Sequence, residues 1–474
     1  MTRRFYLDTV GCQMNVLDSE LVAAMLVGAG YVRVDRPDRA DLVLFNTCSV
    51  RQHAEDKIYS ALGRLKAWKQ QRPGRVLGVL GCMAQKDQER IFERAPHVDL
   101  VVGPGQLGLL PLLLDGLAVG GPPQIEVSLD RASGDRHAVR SSHARHVPVR
   151  DIQAASRAVP YQAMVRVMFG CDKFCSYCIV PSVRGPEQSR PADEIVDEVR
   201  RLADAGCVEV TLLGQTVNSY CDRSGLAPVR LADLLGRVHE IDGIRRLKFV
   251  TNHPRHMTDE LLQAMHELPK VSPYLHVPAQ SGSNAVLERM KRGYTVEAYR
   301  EMLARIRQFV PGAAVTSDFI VGFCGETEAE FQETVELVRH ARFKNSFIFK
   351  YSARPGTRAA ELFSDDVPES VKRRRNNELL AVQDAISLED NQPYLCRTVE
   401  VLVEGLRKAA KKQRRGCGPE AFGAELPCAV QLVGRTTCDR IVVFDGPERW
   451  TGRILPVAVE KVDAFTLFGK PVAP

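Results

Sequence analysis

No stretch of the 474 residues approaches the roughly 20 apolar positions needed to span a bilayer, which argues against a membrane protein. The first residues, MTRRFYLDTVGCQ, are basic but lack the apolar run of a secretory leader, so they read as a first strand. Charge of one sign is also scarce: 64 Lys and Arg against 58 Asp and Glu leave a net +6, too mild to announce nucleic-acid binding alone. Basic runs occur at 372–375 (KRRR) and from Arg407 onward (RKAAKKQRRG), and either could be plain solvated surface. These absences point to a soluble, cytoplasmic chain long enough for about three domains.

Cysteine is what the chain does have. Thirteen is many for a compartment where disulfides do not persist, and an odd number argues against a complete disulfide framework. Some of these thiols should therefore be metal ligands, and others small buried hydrophobes.

Up to about residue 120, strands alternate with helices: FYLDTV, DLVLFNT, RVLGVLG and VDLVVG, with a first helix expected over 17–27 capped by Asp18 or Ser19. That alternation predicts an open parallel α/β sheet. Cys12, Cys48 and Cys82 each fall one or two residues past a strand end, where such sheets bind ligands, so a shared metal site is expected there. Residues 121–156 lack periodicity and read as a linker whose His137, His143 and His146 are solvated. From 157 to 390 a second α/β series has six strands, QAMVRVMF, VEVTLLG, RRLKFVT, PYLHVPA, AVTSDFIVGF and NSFIFKYS, which fits a partial (β/α)6 barrel. A charged helix follows at about 369–388. Residues 391–460 then read as a small all-β barrel of a kind that often binds nucleic acid.

The sharpest motif is GCDKFCSYC, with Cys171, Cys175 and Cys178 in C-x3-C-x2-C spacing after the first barrel strand. Three thiolates from one loop can hold three irons of a 4Fe–4S cubane, leaving the fourth iron open to chelate S-adenosylmethionine. Phe174 and Tyr177 lie between the ligands, where their rings would shield the cluster. A structural zinc site would want a fourth ligand, and no partner C-x2-C exists.

GCDKFCSYC resembles the cluster loop of the radical S-adenosylmethionine superfamily. GCQMNVLDSE, NTCSVRQHAEDK, GCMAQ, RGPEQSRP, GQTVNSY, HVPAQSGS, MKRGYT, VGFCGETE and YSARPGT extend the resemblance to methylthiotransferases over nearly the whole chain. Within that family it looks most like the tRNA-2-methylthio-N6-dimethylallyladenosine synthases. The resemblance implies a second 4Fe–4S cluster on Cys12, Cys48 and Cys82, and a C-terminal TRAM barrel that binds tRNA. It also implies two uses of S-adenosylmethionine, as methyl donor to cluster-bound sulfur and as source of a 5′-deoxyadenosyl radical. The product would be C2 methylthiolation of the modified adenosine at tRNA position 37, in the anticodon loop. An external electron donor and a sulfur donor would serve a monomer. The sibling reactions are methylthiolation of a threonylcarbamoyl-type adenosine or of a ribosomal-protein aspartate; a reading of another class is a non-catalytic iron–sulfur protein that binds RNA.

Gly214, Gln215 and Asn218 after the second barrel strand, Ser281 after the fourth, and Arg292 are candidate cofactor-binding residues. Arg292 could meet a carboxylate or phosphate, though each of these residues could instead shape a turn or cap a helix. Glu326 reads equally as a ligand or a helix N-terminal acid. Cys207, Cys221, Cys324, Cys396, Cys417, Cys428 and Cys438 fit no ligand pattern. Cys324 stands where the family usually has Pro, Asp439 where it often has Asn, and Ala279 where Val or Leu is more usual.

Overall fold

The computed structural model describes residues 3–49, 52–129, 159–407 and 430–472. His137, His143, His146, Cys417, Cys428 and most of the basic run after Arg407 lie outside them.

The N-terminal unit is a six-stranded, wholly parallel sheet built from β1 (Arg4–Val10), β2 (Val32–Arg33), β3 (Leu42–Thr47), β4 (Val76–Gly81), β5 (Leu100–Val102) and β6 (Gln124–Glu126), in the order β2-β1-β3-β4-β5-β6. Every β3 residue is buried because helices cover both faces. Leu42 and Leu44 meet the helices Gln13–Gly28 and Leu110–Ala118, whereas Val43 and Phe45 pack with Ile58, Leu62 and Ile91 on the other side. Two expectations need correction. The strand Gln124–Glu126 falls in the expected linker; it pairs in register with β5 and extends the sheet. The first helix starts at Gln13 with Cys12 in the N-cap position, so neither Asp18 nor Ser19 is a cap. Ser19 Oγ instead accepts hydrogen bonds from Thr9 (2.7 Å) and Asn46 (2.9 Å), and Asp18 is wholly buried.

The chain then runs through β7 (Gln162–Arg166), the antiparallel ribbon of β8 (Met168–Phe169) and β9 (Gln188–Ser189), β10 (Glu209–Leu213), the ribbon of β11 (Cys221–Asp222) and β12 (Val229–Arg230), and on to β13 (Arg246–Phe249), β14 (Tyr274–His276), β15 (Ala314–Val321) and β16 (Asn345–Lys350). The parallel sets β7-β10-β13 and β14-β15-β16 join through a parallel bridge between Leu247 and Val271, which gives the expected six-stranded partial barrel. Helices cover its outside over one continuous apolar core. On the inside, Met14, Leu17 and Leu21 of the Gln13–Gly28 helix pack against Leu213 and Val250. The N-terminal unit is thereby seated on the barrel strands.

The C-terminal strands β17 (Thr398–Leu406), β18 (Val430–Thr436), β19 (Ile441–Gly446), β20 (Ile454–Val462) and β21 (Thr466–Pro471) close a barrel in the order β17-β18-β19-β21-β20. The barrel runs past the expected limit at 460, because β21 must enter between β19 and β20 for it to close.

Buried charge attaches this barrel to the central one. Lys248 Nζ lies 3.0 Å from Glu209 and 3.1 Å from Asp439; Arg435 reaches Asp439 at 2.8 Å. Asp439 has φ +64°, a left-handed conformation that Asp and Asn tolerate. Burial pushes its carboxyl up, but Lys248, Arg435 and Lys344 outweigh that and hold it below the usual aspartate range. The carboxylate, where the family often has a neutral amide, matches these cations. Half of the KRRR run is used internally, at Lys372 and Arg375, while Arg373 and Arg374 are exposed. Lys372 bonds Asp365 and Tyr351 O, Arg374 pairs with Glu378 and Arg375 with Glu326.

Replacing Asp439 with Ala leaves buried cations short of a partner and should lower unfolding stability by about 3 kcal/mol at neutral pH. Since the folded-state pKa is depressed, that contribution is present above the ordinary aspartate range and fades as pH falls through it. Denaturant titrations of D439A and parent should therefore converge on acidification.

Candidate functional site

Strand register brings the N-terminal cysteines together. Val10 of β1 is opposite Thr47 of β3, which is opposite Gly81 of β4. Cys12, Cys48 and Cys82 follow these positions at the carboxyl edge of three neighbouring strands. A Cβ on Gly11 would lie 2.8 Å from Cys48 Cβ and 2.5 Å from Asn15 Oδ1, so only glycine allows this approach. Asn15 Oδ1 accepts from the Cys12 backbone N–H (3.4 Å) and thiol (3.3 Å), while its amide donates to Asn46 Oδ1 and Thr47 O, both at 3.2 Å. Asn46 donates back to Asn15 O at 2.9 Å. Sequence reading passed over these two asparagines, although the polar FNT run within an apolar strand was a signal. Hydrogen bonding with Cys48 pulls the Cys12 thiol down to about 6, against desolvation. Burial pushes Cys82 up.

The second cysteine set is bracketed by the β8–β9 ribbon. Cys171 N–H donates to Gly185 O (3.1 Å), and Gly170, at φ +69°, has no room for a Cβ, which would lie 1.9 Å from Pro186 O. Ser176 fastens the loop to the barrel through its N–H to Met290 O (3.0 Å) and its hydroxyl to Arg289 O (2.8 Å). Cys171 Sγ lies 3.7 Å from Thr216 Oγ1. Burial, and then Cys175, push the Cys178 thiol up to about 12. Of the two intervening rings, Tyr177 packs into an apolar cluster with Met290 and Phe323, whereas Phe174 is 53% exposed with φ +48°.

The supporting residues divide. Arg292 is buried and donates to Cys175 Sγ (3.2 Å), Tyr177 Oη (3.4 Å) and Pro278 O (3.1 Å). Its guanidinium therefore stands at the second cysteine set. Gly214 packs on Met168, its carbonyl accepting from Thr251 at 2.7 Å, with Gln215 half-buried beside it. Asn218 and His253 exchange hydrogen bonds at 2.9 and 2.8 Å. Ser281 is buried and engaged with Thr334 (3.2 Å) and the Ser283 N–H (3.1 Å). Asn218 and Ser281 thus have internal partners that account for their side chains. Glu326 is not a helix N-terminal acid. Thr327 caps the next helix, and Glu326 accepts from Gly322 N–H (2.6 Å) and Arg375 (2.9 Å). Burial lifts its carboxyl to about 7. Cys324 sits in the apolar cluster with Phe323 and Tyr351, and Cys207 donates to Glu209 O (3.2 Å).

The segments that carry the two cysteine sets meet. Cys82 packs directly on Ile179 and Val183, the first of which follows Cys178 in sequence. Behind this contact Asp18 holds Arg184 at 2.7 Å and also pairs with Arg166. None of the six thiols is in a disulfide, and among the described residues no three Cys, His, Asp or Glu side chains form a single-ion site. Three thiolates without a fourth ligand suit a cubane with one open iron better than a closed tetrahedral zinc site.

Residues 4–103 match the uncharacterized protein family UPF0004, and residues 165–338 match the radical SAM superfamily. The fold is similar to that of the radical S-adenosylmethionine methyltransferase TsrM from Kitasatospora setae (TM-score 0.52, 15% identity, 76% of this chain and 77% of that one). Its architecture is therefore that of a radical SAM enzyme, a class whose cofactors are a 4Fe–4S cluster and S-adenosylmethionine. The chain is 56% identical to the tRNA-2-methylthio-N(6)-dimethylallyladenosine synthase of Rhodopirellula baltica, covering 99% of this chain and 96% of that protein. It is 42% identical to the protein of that name from Syntrophotalea carbinolica, covering 96% of each. The chain belongs to this synthase family.

Gly170→Ala should disorder the Cys171–Cys178 loop, at about 1–3 kcal/mol of backbone strain before the Pro186 clash is counted. Iron content after anaerobic reconstitution should fall, while iron held by a variant lacking Cys171, Cys175 and Cys178 should not change on adding it.

Proposed function

We propose that this chain methylthiolates C2 of N6-(dimethylallyl)adenosine at position 37 of tRNA, with one 4Fe–4S cluster on Cys171, Cys175 and Cys178 and a second on Cys12, Cys48 and Cys82. The observation that most supports this reading is the Cys82–Ile179 contact, which brings a residue next to Cys178 against one of the N-terminal cysteines in a chain of this family. When bound, the first cluster with S-adenosylmethionine supplies hydrogen-abstracting radical chemistry, and the second supplies sulfur.

The protein's own part is positional. Arg292 fixes Cys175 by a hydrogen bond and Tyr177 by another. Thr216 stands beside Cys171 at the end of the second barrel strand, within reach of a bound cofactor. The apolar Ile179 and Val183 exclude water where the two sites approach. Gly214 and Gln215 line the same strand end and are the supporting residues left open to a cofactor. The closed β17–β21 barrel, with the basic run that follows Arg407, would receive tRNA in the manner of a TRAM module. The enzyme would work as a cytoplasmic monomer with an external electron donor and a sulfur donor.

Two measurements test this. Reconstituted parent should carry about eight irons per chain, and either triple cysteine-to-alanine variant about four. A parent value of about four removes the second cluster from the account. Mass spectrometry of tRNA from cells lacking the chain should show dimethylallyladenosine without its 2-methylthio group, restored by the parent and by neither triple variant. Persistence of the 2-methylthio group refutes the substrate assignment.

A further inference from the structure

The short helix Val180–Arg184 follows the Cys171–Cys178 loop and packs against the helix Cys82–Asp87 of the N-terminal unit. Its last residue, Arg184, is 2% exposed and reaches Asp18 Oδ2 through Nη2 at 2.7 Å. Its other terminal nitrogen, Nη1, is buried without a hydrogen-bond partner. Val183, the residue before Arg184, packs on Cys82, and the charge of the Cys82 and Cys12 thiols acts on the guanidinium. Asp18 does not need Arg184 alone, because Arg166 pairs with its other oxygen. A buried cation with one donor unpartnered, one residue away from the contact with Cys82, has capacity for a further anion there.

We propose that Arg184 binds the anionic sulfur ligand, sulfide or an alkanethiolate, that the Cys12/Cys48/Cys82 site carries. This rests on the two-cluster reading above. Asp18 is the anchor that holds the planar fork with one edge spent and the other edge free. A charge-assisted hydrogen bond in a water-poor site favours soft anionic sulfur over a neutral thioether. Arg184 would thus grip the sulfur while it is sulfide or thiolate and relax that grip once a second carbon–sulfur bond makes it a neutral thioether. Because Arg184 belongs to the barrel and the thiols to the sheet, the same side chain places the sulfur at the face turned toward the second site.

The test uses the full chain carrying Cys171→Ala, Cys175→Ala and Cys178→Ala, so that only the N-terminal site is loaded. Methanethiolate is titrated into the reconstituted protein and followed by its perturbation of the cluster's electron paramagnetic resonance spectrum, with iron counted in each sample. Arg184→Gln should keep its iron yet bind methanethiolate about tenfold to a hundredfold more weakly, the worth of one hydrogen bond to a charged group. Arg166→Gln removes the other cation from Asp18 without touching the thiols and should bind as the parent does. Equal affinity in Arg184→Gln and parent, with iron retained, overturns the assignment while leaving the two clusters standing. Equal weakening in Arg166→Gln also overturns it, since the effect would then belong to the Asp18 environment. A parent protein that takes up no iron in this background overturns the two-cluster reading and this inference together.

Discussion

Asp18 is wholly buried, and both its carboxylate oxygens face arginines from another part of the chain. A carboxylate in that position without partners would cost several kcal/mol. The N-terminal sheet supplies the anion, the first barrel strand supplies Arg166, and the segment after the cysteine loop supplies Arg184. Neither half of the enzyme is electrostatically complete alone. Separating them would strand one buried anion and two cations, so the pair of cysteine sites is fixed by charge as well as by apolar contact.

The rest of the site follows from where that constraint acts. Asp18 lies on the same helix whose N-cap is Cys12 and whose Met14, Leu17 and Leu21 enter the barrel. One helix therefore begins at a candidate cluster ligand, crosses the interface and delivers the interface charge. The register of β1, β3 and β4 then decides where Cys48 and Cys82 can be. The Asn15–Asn46 exchange holds the helix start to the sheet. A similar logic operates at the opposite attachment. There Asp439, Lys248 and Arg435 tie the C-terminal barrel to the central one through buried charge, in a part of the molecule with no cysteine ligand.

Much of this was legible from local pattern. Cysteines after successive parallel strands had to converge, and six strand–helix repeats had to curve into a partial barrel. What escaped the sequence was partner identity across long separations. Asp18 has the residue type of a helix cap, and nothing nearby announces arginines 148 and 166 positions away. Lys372 and Arg375 look like surface until Asp365 and Glu326 are brought against them, while Arg373 and Arg374 between them are surface. Ser281 and Asn218 have the right residue types at the right strand ends, but their hydrogen bonds go to Thr334 and His253. The strand Thr466–Pro471 was missed because TLFGKP is short and broken by Gly and Pro; only the need to close a barrel identifies it.

The central claim is that two clusters face one another across Cys82 and Ile179. Electron paramagnetic resonance of the fully reduced, reconstituted parent tests it most directly when compared with the two triple cysteine variants, each holding one cluster. The account predicts magnetic coupling, seen as line broadening and faster relaxation in the parent that neither variant shows. A parent spectrum equal to the plain sum of the two variant spectra would contradict it.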